Sequence, residues 1–463
     1  MVTTSVAYGP SAQPEVATPS PSWEEECYQA GCALARELAQ QKLQALEEYL
    51  FQCRPPTWGV KGVRERTLMT RFGEVRLSRR LYCDPQGRYH FLLDEHLGWE
   101  KAQVATPGLK QAVGALASQG PFRQAAATLD KLTAGVLAPA TIHRLVGRVT
   151  QGVLAEEEMA WRDCFEEGRG LPPGAQGVPV LFMEADGVWV HLQREPQKHY
   201  EVKSSVAYEG WQRLPQGEER YTLVGKRHYS QGNEAIPFWE GASLEFDRQG
   251  DLSQVKLVVL GGDGASWIDQ GLEYFPGAVR QRDGFHLARW CRWAVGWELG
   301  PQIYQAIREG RGQEAAAKLA ETPVLPGSKA QQAAKVVAQQ LEVGVDWRCW
   351  VPQVPEGARG LGTMESQQDK GIANRMKKRG MSWRIPGAQR MAKLIQVVCN
   401  GELAQWCWPR PEGQQVRTEL KGNYRHPSRP TYGGWLQVGM PALWGPHASH
   451  PWAQALRALA YPS

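Results

Sequence analysis

"KLVVLGGDGASWID", residues 256–269, sets an apolar run, Val258, Val259 and Leu260, against two glycines and then a carboxylate, Asp263. The run predicts a buried strand. An acid at the end of such a strand needs a partner, because a carboxylate withdrawn from water is unfavourable unless it is hydrogen-bonded or holds a cation. The arrangement recurs upstream. In "VLFMEADG", residues 180–187, the run Val180 to Met183 delivers Glu184 and Asp186. These two lie two apart and share one face of a strand. Asp186 and Asp263 are each expected where a core strand gives out, just before a glycine. If the two strands are neighbours, the carboxylates converge.

Converging carboxylates suit Mg²⁺ or Mn²⁺, which take hard oxygen ligands from one or two acids plus phosphate oxygens. Two such ions clamp the attacking and leaving oxygens of a phosphodiester. A third acid is expected at Glu365, in "GLGTMESQQDKG", in the first turn of a helix where a carboxylate suits the dipole. Asp369, one turn later on the same face, is its rival. The metal set is therefore Asp186, Asp263 and Glu365, and the same three are the candidate catalytic residues. From 370 to 393 there are eight Lys/Arg and no acid. Arg375, Lys377, Lys378 and Arg379 in that run are candidates for tracking phosphates, with an ordinary basic helix as the alternative. "RQRDGFHLARWC", residues 280–291, adds Asp283 and His286 in a D-x-x-H spacing that could support the site from behind the ligands. A structural histidine is the plainer alternative.

Other chemistries find no footing. No ligand pairs are spaced for zinc. The glycines around Asp263 do not complete a dinucleotide fingerprint, and no nucleophile elbow is present. Nine cysteines without pattern read as reduced thiols, which places the chain in the cytoplasm. No apolar stretch is long enough for a membrane span. A net charge of +5 permits an anionic partner, and 19 tryptophans offer rings that either fill cores or stack on bases.

Outward from the acids, a Ser/Thr/Pro-rich tail, 1–22, is expected to be disordered and is no signal peptide. Residues 23–150 form an α+β region. Its first helix is expected to carry a capping box at Ser22 and Glu25 and an apolar face of Leu34, Leu38, Ala45 and Tyr49. Alternating strands follow in a stretch, 61–91, with eight Lys/Arg against three acids, either a solvated face or a phosphate-contacting one. "PFRQAAATLDKLTAGVLAPATIHRLVGRV" then reads as helix, break at Gly135 and second helix, a helix-turn-helix-like segment whose Arg144 and Arg148 are candidates for DNA contact. After a Gly/Pro stretch at 167–179, residues 178–400 read as an α/β core, strands first, with a helical insertion at about 287–355. A Pro/Trp-rich extension occupies 401–463.

Taken together, "EADG", "GDGASWI", "RDGFHLARW" and "MESQQDKGIANRMKKRGMSW…GAQRM", with "FGEVRLSRRLY…GRYHFLLDEHLG" before them, resemble bacterial insertion-sequence transposases of the Lre-type family, related to Mutator-like elements. The likeness spans roughly 30–400. It implies a ribonuclease H-like mixed sheet with a helical insertion and a DDE triad on Asp186, Asp263 and Glu365, with the D-x-x-H signature on Asp283 and His286. It also implies Mg²⁺ or Mn²⁺ as cofactor, terminal inverted repeats and target DNA as partners, and a homo-oligomer that joins two DNA ends at once. The competing expectations are a DNA-binding relic or repressor that no longer cuts, and a ribonuclease H-like nuclease outside transposition.

Overall fold

The computed structural model describes residues 22–408, except 102, 136, 170–176, 216–219, 233–234, 276, 340, 342–345, 350, 352–353, 356, 365–366, 368 and 379, together with 450–451 and 454–455. The expected N-terminal tail and most of the C-terminal extension lie outside the described residues. The chain divides into two compact units, Met1–Leu109 with Leu129–Val136, and Lys110–Thr128 with Leu137–Ser463.

In the first unit, helix α1 (Trp23–Gln52) and strands β1 (Gly59–Thr70), β2 (Gly73–Cys83) and β3 (Tyr89–His90) precede a short helix, α2 (Leu92–His96). The strands form one sheet in the order β1-β2-β3. The alternation expected in β2 puts Val75 and Leu77 inside with Leu68 of β1 and Leu43 of α1. The same parity carries Arg79 inward. Arg79 and Arg66 both ion-pair with Asp94, and Arg66 also donates to the carbonyls of Glu100 and Gln103 at 2.7 Å. Two of the eight basic residues counted in this stretch are thus internal, because a buried guanidinium needs acceptors and finds them here. Two expectations for α1 fail. Ser22 makes no side-chain cap and instead donates to Glu26 Oε1 at 2.6 Å. Leu34, Leu38 and Tyr49 are exposed, and the buried residues of α1 are Cys32 and Glu47.

The second unit is a mixed α/β assembly. Strands β4 (Val180–Leu192), β5 (His199–Tyr208), β8 (Arg227–Gly232), β9 (Leu257–Gly262) and β10 (Ala278–Arg282) order as β10-β9-β4-β5-β8. The β4-β5 and β5-β8 pairs are antiparallel, and β9 and β10 run parallel to β4. Outside this path, β6 (Gly210–Arg213) and β7 (Tyr221–Val224) make a ribbon, and β11 (Ser382–Trp383) pairs with the far end of β4. The sheet is buried on both faces, so its strands read as near-continuous apolar runs. Leu181, Met183 and Ala185 of β4 pack with Val258 and Leu260 against Phe238, Trp239, Ala242 and Phe246 of a helix at Ala235–Gly250. Phe182, Val206, Tyr208 and Val259 face Trp347 and Met364 on the other side.

Helices α6 (Ala235–Gly250) and α11 (Ile385–Cys399) pack on this sheet. In chain order after α2 the helices are α3 (Pro107–Gln119), α4 (Phe122–Leu132), α5 (Pro139–Trp161), α6 (Ala235–Gly250), α7 (Ser266–Asp269), α8 (Gly284–Arg308), α9 (Gly312–Glu321), α10 (Ser328–Gln339) and α11 (Ile385–Cys399). Helices α8, α9 and α10 share an apolar core of Leu287, Cys291, Ala294, Ile303, Ala315, Ala333 and Val337. Helices α5, α6 and α11 line a cavity of about 480 Å³ whose walls carry charge. Lys393 is 1% exposed and donates to Glu157 Oε1 at 2.8 Å. Arg227 pairs with Glu245 at 2.6 Å and also with Glu402, while Arg248 reaches Glu245 at 3.0 Å. No helix among the described residues is long and apolar enough to cross a membrane.

Candidate functional site

Parallel pairing of β4 with β9 sets Ala185 opposite Gly262. The next residue on each strand is an acid, Asp186 and Asp263, so the register itself brings these two carboxylates side by side. Asp186 is not at a strand end as expected. It lies in the middle of β4, which runs on beside β5 to Leu192, and what ends there is β4's pairing with β9. Gly262 is required for the close approach: a Cβ on it would stand 2.7 Å from the Ala185 carbonyl.

Asp186, Asp263, Asp283 and His286 line one small cleft of about 40 Å³, together with Glu184, Arg282, Phe285 and Met364. Asp186 accepts one backbone N–H, from Gly187, at 2.7 Å. Burial pushes its carboxyl up to about 6, and the neighbouring Asp263 adds to the rise. Asp263 Oδ1 accepts from Ala265 N at 2.8 Å, and its carbonyl is held by Arg280 and Arg282, which both pair with Asp269. Asp283 caps α8, accepting from Phe285 N at 2.9 Å, and its own N–H reaches the Gly262 carbonyl at 2.8 Å. Helix α8 is thereby pinned to the end of β9. Asp283 Oδ2 lies 2.5 Å from His286 Nδ1. That bond raises the imidazole's pKa, and burial alone would lower it. Asp283 is held below its usual range: burial pushes it up, but the His286 and Phe285 hydrogen bonds outweigh this. His286 is therefore the partner of Asp283 rather than an isolated core histidine.

Glu184, two residues before Asp186 and on the same face, behaves in the opposite way. It is 3% exposed and fully engaged. Its Oε2 accepts from the backbone N–H groups of Gly362, Thr363 and Met364 at 3.0, 2.8 and 3.0 Å. Its Oε1 accepts from the hydroxyls of Tyr208 and Thr363, both at 2.7 Å. Burial and this carboxylate together push the Tyr208 phenol upward. Glu184 so ties β4 to the segment that leads into Glu365. Glu365 itself lies outside the described residues, as does Arg379. Among the described residues, no group of three His, Cys, Asp or Glu is gathered as a ready-made metal cluster. Asp186 and Asp263 are nonetheless hard oxygen donors on adjacent strands, and a cation would offset the burial and mutual repulsion that Asp186 now bears.

Comparison with known proteins gives the chain its kin. A model described as "Uncharacterised protein family (UPF0236)" matches residues 23–408. The chain belongs to this family. A UPF0236 protein in the vanSb 3′ region of Streptococcus gallolyticus is 26% identical over 381 residues, covering 80% of this chain and 79% of that one. A UPF0236 protein of Caldanaerobacter subterraneus subsp. tengcongensis is 21% identical over 380 residues, covering 80% and 75%. Among solved structures, a Drosophila P element transposase strand transfer complex aligns over 68% of this chain and 82% of its own at 10% identity. Its TM-score of 0.22 is too low to bear on fold or function.

The basic residues of this UPF0236 chain divide. Arg144 and Arg148 are exposed on α5, and Lys377 and Lys378 are exposed at the end of a π-helical turn, Asp369–Lys377. Arg375 is not available to a phosphate. It is 3% exposed, donates to the Ala117 carbonyl at 2.7 Å and lies between the rings of Phe122 and Trp383. Its place on the inward face of the turn, beside the buried Ile372 and Met376, explains the correction. The Glu184 tether was missed in the sequence. Its only trace there is the E-x-D spacing, which gives both acids one face but not their different fates.

Proposed function

We propose that this chain is the transposase of an insertion sequence, of the DDE type and similar to the Lre-type family, with a ribonuclease H-like core. The observation that carries the reading is the pairing of Asp186 and Asp263 on adjacent parallel strands, in a cleft completed by Asp283 and His286. The mixed sheet, three antiparallel strands extended by two parallel ones, is compatible with such a core. A second line of support comes from kin: the name of the Caldanaerobacter relative joins eleven locus designations. One protein recurring at many loci is what an element that multiplies its own gene would leave.

Asp186, Asp263 and Glu365 would hold Mg²⁺ or Mn²⁺, which when bound neutralises charge on the phosphate and on the attacking and leaving oxygens. The protein's part is placement. The β4-β9 register sets two acids beside each other, Glu184 fixes the approach to the third, and the Asp283–His286 pair anchors α8 at the cleft rim. Water attacks the phosphodiester at the element end, the bond to the 3′ oxygen breaks, and a 3′-hydroxyl leaves. That hydroxyl then attacks a target phosphodiester, and as the new P–O bond forms the target's bond to its own 3′ oxygen breaks and that 3′-hydroxyl leaves. Lys377 and Lys378 would meet backbone phosphates, with Arg144 and Arg148 on terminal repeats, and two ends joined together require at least two copies of the chain.

The test is incubation of the protein with DNA spanning its gene and both flanks, with Mg²⁺ or Mn²⁺. Nicks at the ends of inverted repeats, absent in Asp263→Asn, are the expected result. DNA retarded in a gel but never cut would sink the reading in favour of a DNA-binding protein.

A further inference from the structure

Helix α8 starts at the acid cleft and carries a second feature. Phe285, Arg289 and Trp293 are spaced four apart and so share one face, and Trp297 follows beyond the break at Gly296. Cations alternate with rings along it. The Arg289 guanidinium sits 5.6 Å from the Phe285 ring centre and 4.9 Å from that of Trp293. Lys329, from α10, lies 3.6 Å from the Trp293 ring centre, and Arg292 lies 4.8 Å from that of Trp297. Phe285 is 53% exposed and lines the cleft beside Asp186 and Asp263, while Trp297 at the far end is 79% exposed. Gly296, at φ +95°, breaks the helix just before Trp297. The opposite side of α8, Leu287, Cys291 and Ala294, is buried in the helical layer.

Two properties of this ridge call for a partner from outside. Arg289, Arg292 and Lys329 form no ion pair among the described residues, though the charge of Arg289 is felt by Asp283. An exposed indole is also unfavourable in water, and a cation over it recovers only about 0.5–1 kcal/mol. Phosphates satisfy the cations, and flat bases cover the rings. Base faces are available only where strands are unpaired, since in a duplex they stack on one another.

We infer that the α8 ridge binds unpaired nucleotides of DNA, as the continuation of the strand whose phosphodiester lies in the cleft. From Phe285 to Val295, before the break at Gly296, the helix rises about 15 Å, long enough for a few nucleotides. This rests on the reading of the cleft as a DNA-cutting site, and the test keeps the two apart by omitting metal.

The experiment measures binding of the full chain, in EDTA, to a labelled blunt duplex and to the same duplex with a single-stranded overhang. The wild type binds the overhang more tightly. Trp297→Ala, at a position too exposed to threaten folding, loses roughly 5- to 100-fold in affinity for the overhang and none for the blunt duplex, matching one stacked base. Trp297→Phe restores most of the loss, and Arg292→Gln lowers the salt dependence by about one phosphate contact. Equal affinity of the wild type for both duplexes, or an unchanged overhang affinity in Trp297→Ala, overturns the inference. Tighter binding of an RNA overhang reassigns the ridge to RNA and also overturns it. Self-association lost in Trp297→Ala with DNA affinity intact does the same, by assigning the ridge to a second copy of the chain.

Discussion

Two regions of the second unit bury charge, and they do so on opposite terms. Between α5, α6 and α11, each charge has an opposite partner: Lys393 with Glu157, Arg227 with Glu245 and Glu402, Arg248 with Glu245. In the cleft between β4 and β9, Asp186 meets Asp263 and Asp283, and among the described residues one backbone N–H answers it directly, with His286 easing the repulsion from a distance. The first region is about twelve times the larger cavity, about 480 against 40 Å³, yet its charges are already spent on one another. A self-neutralised network stabilises or specifies a fold. A surplus of one sign at a strand junction is stable only in company with something the chain does not supply. Charge balance, not cavity size, distinguishes the two regions.

The sharpest way to break this comparison is on the balanced side. Arg227→Met leaves the 5%-exposed Glu245 short of a partner and should destabilise the chain by about 3–5 kcal/mol, read from urea unfolding. On the unbalanced side the signs reverse. Asp263→Asn should abolish nicking by on the order of a hundredfold or more, equivalent to about 2.7 kcal/mol of barrier, with no loss in melting temperature. Asp186→Asn should go further and raise the melting temperature in the absence of metal, since it removes a desolvated charge. A melting temperature that falls as far as in Arg227→Met would show that the cleft acids are structural after all.

Glu184 is the intermediate case. Glu184→Gln keeps the shape but turns an amide toward N–H donors, so about 1–3 kcal/mol of stability should be lost, with nicking impaired beyond what Asp186→Asn does to stability. The smallest effect concerns His228, whose imidazole burial pushes down to about 4, with Lys226 adding to the shift. A free imidazole titrates at 6.5, so between about 6.5 and 4 the unfolded chain binds the extra proton. Stability contributed by neutral His228 is therefore intact above that window and falls as pH drops through it, by at most about 1.4 kcal/mol per pH unit. Melting curves of His228→Gln should show a flatter pH dependence there. If the slope is unchanged, the balanced region's charges, not this imidazole, set the acid limit.

Strands β4 and β9 were legible because each carries an apolar run closed by glycine or charge, with β5 and β10, which mix polar and apolar residues, read beside them and a helical stretch read from Phe285 to about Val343. The pairing of Asp186 with Asp263 was legible too, as a condition on neighbouring strands that the register then met. Other features were not. Arg375 reads as one more cation in a basic run, and only its inward place beside Trp383 reveals it as a core residue. Leu34 and Leu38 read as a buried stripe, whereas α1 turns Cys32 and Glu47 to the sheet. Strand β8 and helix α6 escaped notice: "RHYSQG" is polar, and its burial comes from Gln396 and Asn400 of the α11 end, which supply side-chain partners to Ser230 and His228. Partners distant in sequence leave no local pattern, and Glu184's grip on 362–364 is of the same kind.

That grip has a dynamic corollary. Gly362, Thr363 and Met364 belong to no strand, yet all three amides are held by one buried carboxylate 178 to 180 positions away. In amide hydrogen exchange they should behave as part of the central sheet, opening only when β4 itself opens. The approach to Glu365 would then share the lifetime of the fold's most protected strand rather than that of a surface loop.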